Sequence, residues 1–179
     1  MASTPEQYNK TRYLVLEPQH NTSLLQELYE IAESPLWLYL FANTDWQAYL
    51  KDGPILLEAG QESAEYRWAL QGLKQERLIG LVLESSKGLD AVTSWLRKRL
   101  NVRFKGQREG LLRFYDPRIW HQLQPQNKPS SDVIERAIYW YGEPGQQRWL
   151  TIENPEPIVM SPTPTLDDQQ WLALNATST

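Results

Sequence analysis

The chain has 179 residues, a net charge of −4, 41% hydrophobic residues and no cysteine. That length suits one domain with a short appendage, and the apolar content suffices for a core. The missing cysteine excludes disulfides, thiolate metal ligands and a cysteine nucleophile.

Met1 to Gln7 is polar and has no apolar h-region. The longest apolar stretches, Leu36–Ala42 and Leu78–Leu83, are far shorter than the roughly 20 residues that span a bilayer. A cytoplasmic chain without membrane contact is therefore expected.

Residues 1–11 read as a flexible N-terminus, 12–153 as the folded domain, and 154–179 as a proline-rich linker with a short helix and tail. Arg12–Glu17 is β-rich and predicts a first strand ended by Pro18. Ser23 and Gln26 fit a capping box, and Leu25, Leu28, Tyr29 and Ala32 continue at helical spacing to about Ser34-Pro35. Leu36–Phe41 is a continuous apolar run, the pattern of a strand buried on both faces. Thr44–Lys51 predicts a short helix, Asp52-Gly53-Pro54 a turn and Ile55–Glu58 a third strand.

Glu62–Gln75 predicts a helix and Arg77–Glu84 a buried strand. Leu89–Val102 carries an apolar stripe of Leu89, Val92, Trp95, Leu96 and Leu100. Its opposite side is read as an exposed face of Arg97, Lys98 and Arg99. Gly106–Gly110 reads as a turn and Leu111–Tyr115 as a strand. Asp116 then caps a short helix with Pro117 at its first position. Arg136–Tyr141 and Gln147–Ile152 form a hairpin around Gly142-Glu143-Pro144-Gly145. Thr165–Leu174 opens a last short helix. Helices and strands alternate over most of the chain. The expected class is α/β, a mixed sheet flanked by helices with a late antiparallel hairpin.

Chemistry leaves little trace in this pattern. There are two histidines, His20 and His121, and no H-E-x-x-H, G-x-S-x-G, P-loop or dinucleotide fingerprint. Neither a catalytic set, nor a metal site, nor a cofactor is expected. Charge placement says more. Between Arg97 and Arg118 eight Lys/Arg face two acids, so that stretch carries +6 and the rest of the chain −10. Three readings stay open for this stretch: an acidic protein partner, nucleic acid, or a solvated face with internal ion pairs. Against nucleic acid stands the negative net charge. A small hydrolase with an unrecognised site is a further alternative, and no pair among the scattered acids is singled out for glycosidase chemistry.

Arg113-Phe114-Tyr115-Asp116-Pro117-Arg118 follows the turn, with Trp95–Val102 before it. This element resembles the effector-adaptor family of bacterial type VI secretion systems, whose members are called Tap or TEC chaperones. Further pieces are similar in order: Tyr13–Glu17, Leu36–Phe41, Gly53–Leu57, Leu78–Ser85 and Leu89–Val102, together spanning residues 12–124. The opening strand departs from the family pattern in running on as Glu17-Pro18 rather than an Asp-Gly or Asp-Ala pair. Members often carry a helical lobe after the α/β domain; here Trp171–Leu174 stand where it would begin.

The resemblance implies a non-enzymatic protein that binds an effector toxin in the cytosol and brings it to the VgrG spike. Within the element, capping explains Asp116 and Pro117 as structural residues. Arg97, Arg99, Arg103, Arg113, Arg118 and Trp120 are the partner-contact candidates, because arginine and tryptophan dominate binding hot spots.

Overall fold

The computed structural model describes residues 11–20, 22–104, 108–123, 126–127, 133–153, 155–156, 168–169 and 172. Its first half is β1 (Thr11–Pro18), α1 (Leu24–Ile31), β2 (Leu36–Tyr39), β3 (Ile55–Ala59), α2 (Ala64–Lys74) and β4 (Leu78–Ser85). These strands lie in the order β2-β3-β1-β4, and every neighbour pair is antiparallel. Each helix thus crosses over one intervening strand, the split βαβ arrangement. A hairpin of β8 (Arg136–Tyr141) and β9 (Arg148–Glu153) extends the sheet beyond β4 to six strands.

Both faces of this sheet are covered, which explains the unbroken apolar runs in its central strands. Alternation along β1 sends Leu14 and Leu16 against Leu24 and Leu28 of α1 and Tyr66, Ala69 and Leu73 of α2. Tyr13 and Val15 point the other way, into a core with α3 (Leu89–Arg97) and α4 (Pro117–Gln122). Between α3 and α4 runs a separate hairpin, β5 (Asn101–Phe104) with β6 (Arg108–Leu111). A two-residue pair joins β7 (Gln126–Asn127) to β10 (Pro155–Glu156). In β4, Gly80 sits against β1 so tightly that a Cβ there would lie 1.8 Å from the Val15 carbonyl oxygen. No side chain fits at that position without moving backbone.

A buried carboxylate binds four strands together. Glu84, only 3% exposed, meets Arg12 Nη2 at 2.8 Å and Arg136 Nη1 at 3.3 Å. Arg136 Nε also donates to Glu153 at 2.7 Å, and Arg12 Nη1 donates to the Tyr66 hydroxyl. The ion pairs tie β1, β4, β8 and β9 together, and Tyr66 links α2 to them.

The α/β class, the helices on both faces and the late hairpin match the sequence expectation. Strand direction differs: all described pairings are antiparallel. Alternating helices and strands favour parallel pairing only when crossovers join neighbours, and here each crossover skips a strand. Leu36–Phe41 is also not buried on both faces. β2 is the outer strand, with Leu36 53% exposed. The predicted helix over Leu89–Val102 ends at Arg97, and Asn101–Phe104 is strand. The ladder to Arg108–Leu111 and the Leu112 N–H to Leu100 carbonyl bond of 2.7 Å outweigh helical periodicity there. β6 accordingly precedes the strand expected over Leu111–Tyr115, and residues 112–116 turn.

The helix expected over Thr44–Lys51 is a single 3₁₀ turn, Gln47–Tyr49. Ser23 does stand at the start of α1, but its side chain makes no capping bond. Gln26 instead donates to Glu30. Of the last helix, Asp168, Gln169 and Leu172 are described and are helical. Of the expected flexible start over 1–11, Thr11 belongs to β1 and 1–10 lie outside the described residues, as do Lys105 and most of the proline-rich linker.

Candidate functional site at the Arg113–Arg118 corner

The chain turns sharply between β6 and α4. Asp116 N–H donates to the Arg113 carbonyl at 3.0 Å and closes the turn. Phe114 and Tyr115 are both fully buried. Their rings meet edge-on at 5.7 Å, and Phe114 also lies 6.5 Å from Trp120. Such rings anchor a corner by area and by edge-to-face contact.

Two charged residues fix the rest. Asp116 is N-cap of α4: its Oδ1 accepts the Arg118 N–H at 2.9 Å and Arg118 Nε at 3.2 Å. Its Oδ2 accepts Arg118 Nη2 at 2.8 Å. One carboxylate thus satisfies an orphan helix donor and a forked guanidinium together. Pro117 occupies the first helical position, where its missing N–H costs nothing. Arg113 turns the other way and donates to Glu17 Oε2 at 2.7 Å, at the end of β1. Burial alone pulls the Arg113 guanidinium down, but the bond to and charge of Glu17 outweigh it and hold the group above its usual range. Burial, with Glu17 adding to it, pushes the Tyr115 phenol well above 10. Asp116 raises Arg118 in the same way as Glu17 raises Arg113, by accepting its hydrogen bonds.

Beside this corner opens a cleft of 340 Å³. Leu73, Leu78 and Ile79 lie along it with Trp140, while Gln19, His20, Glu76, Asp116, Pro117 and Arg118 supply its polar and remaining wall. His20 and Glu76 both have left-handed backbone, φ 52° and 58°. That conformation costs a non-glycine residue roughly 1 kcal/mol, so the surrounding packing holds two strained turns at one cleft. Glu76 Oε1 accepts from Gln147 Nε2 at 2.6 Å. The side chain of Arg118 is 62% exposed, yet Asp116 fixes one edge of it. The arrangement therefore presents a preoriented guanidinium beside an indole and an apolar wall, which suits non-covalent recognition. Among the described residues no group of three or more His, Asp or Glu could hold a metal ion.

The structure distributes the contact candidates widely. Arg118 and Arg113 join the corner, Arg118 outward and Arg113 toward Glu17. Arg97 is half-buried and donates to the carbonyls of Leu40 at 3.0 Å and Tyr39 at 3.2 Å. Arg103 is exposed and paired with Glu109 at 3.0 Å. Arg99 and Trp120 are not on the surface. Arg99 is 2% exposed, with its guanidinium 3.4 Å above the Trp95 ring and Nη1 bonded to the Trp95 carbonyl at 2.7 Å. Trp120 is 0% exposed. The expected exposed face of α3 is thus reduced to Lys98 and part of Arg97. Because Arg97, Arg99, Arg103, Arg113 and Arg118 have internal partners, the described residues of the 97–118 stretch do not form the continuous positive stripe that nucleic-acid binding needs. This favours the reading of internal ion pairs.

Sequence reasoning missed the cleft itself. His20, Glu76 and Trp140 lie in turns and a strand far apart in the chain, and no local pattern announces left-handed backbone at a histidine or glutamate. His121 carries no such site: its Nδ1 lies 3.0 Å from the Tyr139 hydroxyl and its ring stacks on Tyr141 at 4.0 Å.

Comparison with curated proteins and with solved structures gives no match. A family model does match, over residues 12–131, a stretch that holds β1 (from its second residue) to β7, α1 to α4 and the whole corner. The chain belongs to the family described as a domain of unknown function, DUF4123.

Proposed function

We propose that this chain is a non-enzymatic adaptor of a bacterial type VI secretion system. In this reading it binds an effector toxin in the cytosol and carries it to the VgrG spike. Family membership over residues 12–131 is the observation that carries the reading. The matched stretch contains the Arg113–Arg118 element and the strands by which the chain resembles effector adaptors. The corner gives physical support: it holds Arg118 oriented and largely exposed at the rim of a cleft. A guanidinium already fixed by a carboxylate loses little side-chain entropy on binding a partner.

The test is co-purification. A tagged full-length chain is expressed together with the spike protein and the toxin encoded beside it. Both are expected to be retained, and Arg118→Glu is expected to weaken retention of one of them by about tenfold, the effect of losing a good charged contact. Retention of neither would overturn the reading.

A further inference from the structure

We propose that the outer edge of β2, together with Tyr29 and Ile31 of α1, docks an extended, basic segment of a protein partner. β2 ends one side of the six-stranded sheet, and among the described residues nothing pairs with its outer side. Leu40 N–H donates to the Pro54 carbonyl at 3.0 Å. Alternation in an antiparallel ladder then turns Leu36 and Leu38 toward β3 and leaves the N–H and C=O of Trp37 and the N–H of Tyr39 facing outward. The Tyr39 carbonyl is already taken, by Ala42 N–H and Arg97 Nη2, each at 3.2 Å. Arg97 thereby closes the far end of the edge and limits the register of an incoming strand.

Apolar side chains flank this edge on both faces of the sheet. Leu36 is 53% exposed, Tyr29 54% and Ile31 38%. The Trp37 indole N–H donates to the Tyr29 hydroxyl at 3.1 Å and joins α1 to the strand. No charged residue occurs between Ser34 and Thr44. Sheets ordinarily protect an edge with charge, and the opposite edge of this one does so. The exposed positions of β9 are Arg148, Thr151 and Glu153. β2 is the undefended edge.

The surrounding charge selects the occupant. Glu30 and Glu33 are exposed beside Ile31 and have no ion-pair partner among the described residues, and half-buried Glu58 lies opposite Leu36. Lys51 and Asp52, near the far end, offset one another. Arg97 makes the Tyr39 end positive, so the acidic rim lies at the Leu36 end, where it favours a strand that alternates apolar residues and carries lysine or arginine. A second copy of this chain would bring its own glutamates to that rim, so the committed occupant is a different protein. The inference does not depend on which cargo the chain carries.

A displayed library of random peptides about twelve residues long, selected on the full-length chain, tests this. The enriched peptides are expected to alternate apolar residues, to carry Lys or Arg, and to slow amide exchange at Trp37 and Tyr39. The surface variant Glu30→Lys/Glu33→Lys is expected to weaken them by at least about tenfold and to leave the melting temperature unchanged. Three results would overturn the proposal: peptides indifferent to that variant, a dimer of the chain alone that protects these amides, or amides already protected in the monomer.

Discussion

The Arg113–Arg118 corner and the β2 edge are built in opposite ways. The corner carries the distinctive sequence, yet it turns most of that sequence inward. Phe114, Tyr115 and Trp120 fill core, Arg113 ties the corner to β1, and Asp116 caps a helix. Only Arg118 remains outward, and it too is fixed. The β2 edge carries an anonymous apolar run, and there Leu36 and the outward backbone groups of Trp37 and the Tyr39 N–H face solvent while Leu40 and Phe41 are core. A recognisable motif here marks a demanding turn, whereas the surface best suited to docking is marked only by where the strand falls in the sheet.

Substitutions can separate these two roles. Trp120→Ala removes a fully buried indole and is expected to cost about 4 kcal/mol of stability in denaturant unfolding. A loss near zero would return Trp120 to the surface and undo the contrast. Glu84→Ala leaves the half-buried guanidinium groups of Arg12 and Arg136 facing a lost carboxylate, and is expected to cost about 3 kcal/mol. Asp116→Ala deletes the cap of α4 and the Arg118 fork. It is expected to lower stability by about 1 kcal/mol, with melting temperature as the readout.

A smaller effect comes with pH. Burial holds His121 below its usual value, so the native state favours the neutral imidazole. Its contribution is fully present above the unfolded value of about 6.5 and is lost as pH falls below that toward the folded value. Melting temperatures measured from pH 7.5 downward are expected to decline through this window, and His121→Gln is expected to flatten that part of the curve. Smallest is the β2 edge: Leu36→Lys is expected to change stability by no more than about 0.5 kcal/mol while abolishing capture of basic apolar peptides. A large destabilisation instead would identify Leu36 as core.

Local pattern was enough for elements whose burial is uniform. β1 and β4 are apolar runs because both their faces are covered, and Asp116-Pro117 starts a helix for reasons contained in two residues. Pattern failed where burial depends on neighbours. Leu36–Phe41 reads like β1, but nothing local tells that one strand is central and the other outermost. Arg99 reads as part of a solvated basic face, yet its guanidinium lies over the Trp95 ring one helical turn earlier, an arrangement set by how the helix end packs. Trp120 reads as a contact residue on its type alone, and type does not report depth. The cleft at His20, Glu76 and Trp140 was invisible because three distant segments build it.

Amide hydrogen exchange on the full-length chain, alone and with a co-purified partner, bears most directly on the account. Trp37 and Tyr39 are expected to exchange quickly in the free chain and to slow when the partner binds, while β9 remains unchanged. Protection that appears along β9 while the β2 amides stay fast would contradict it.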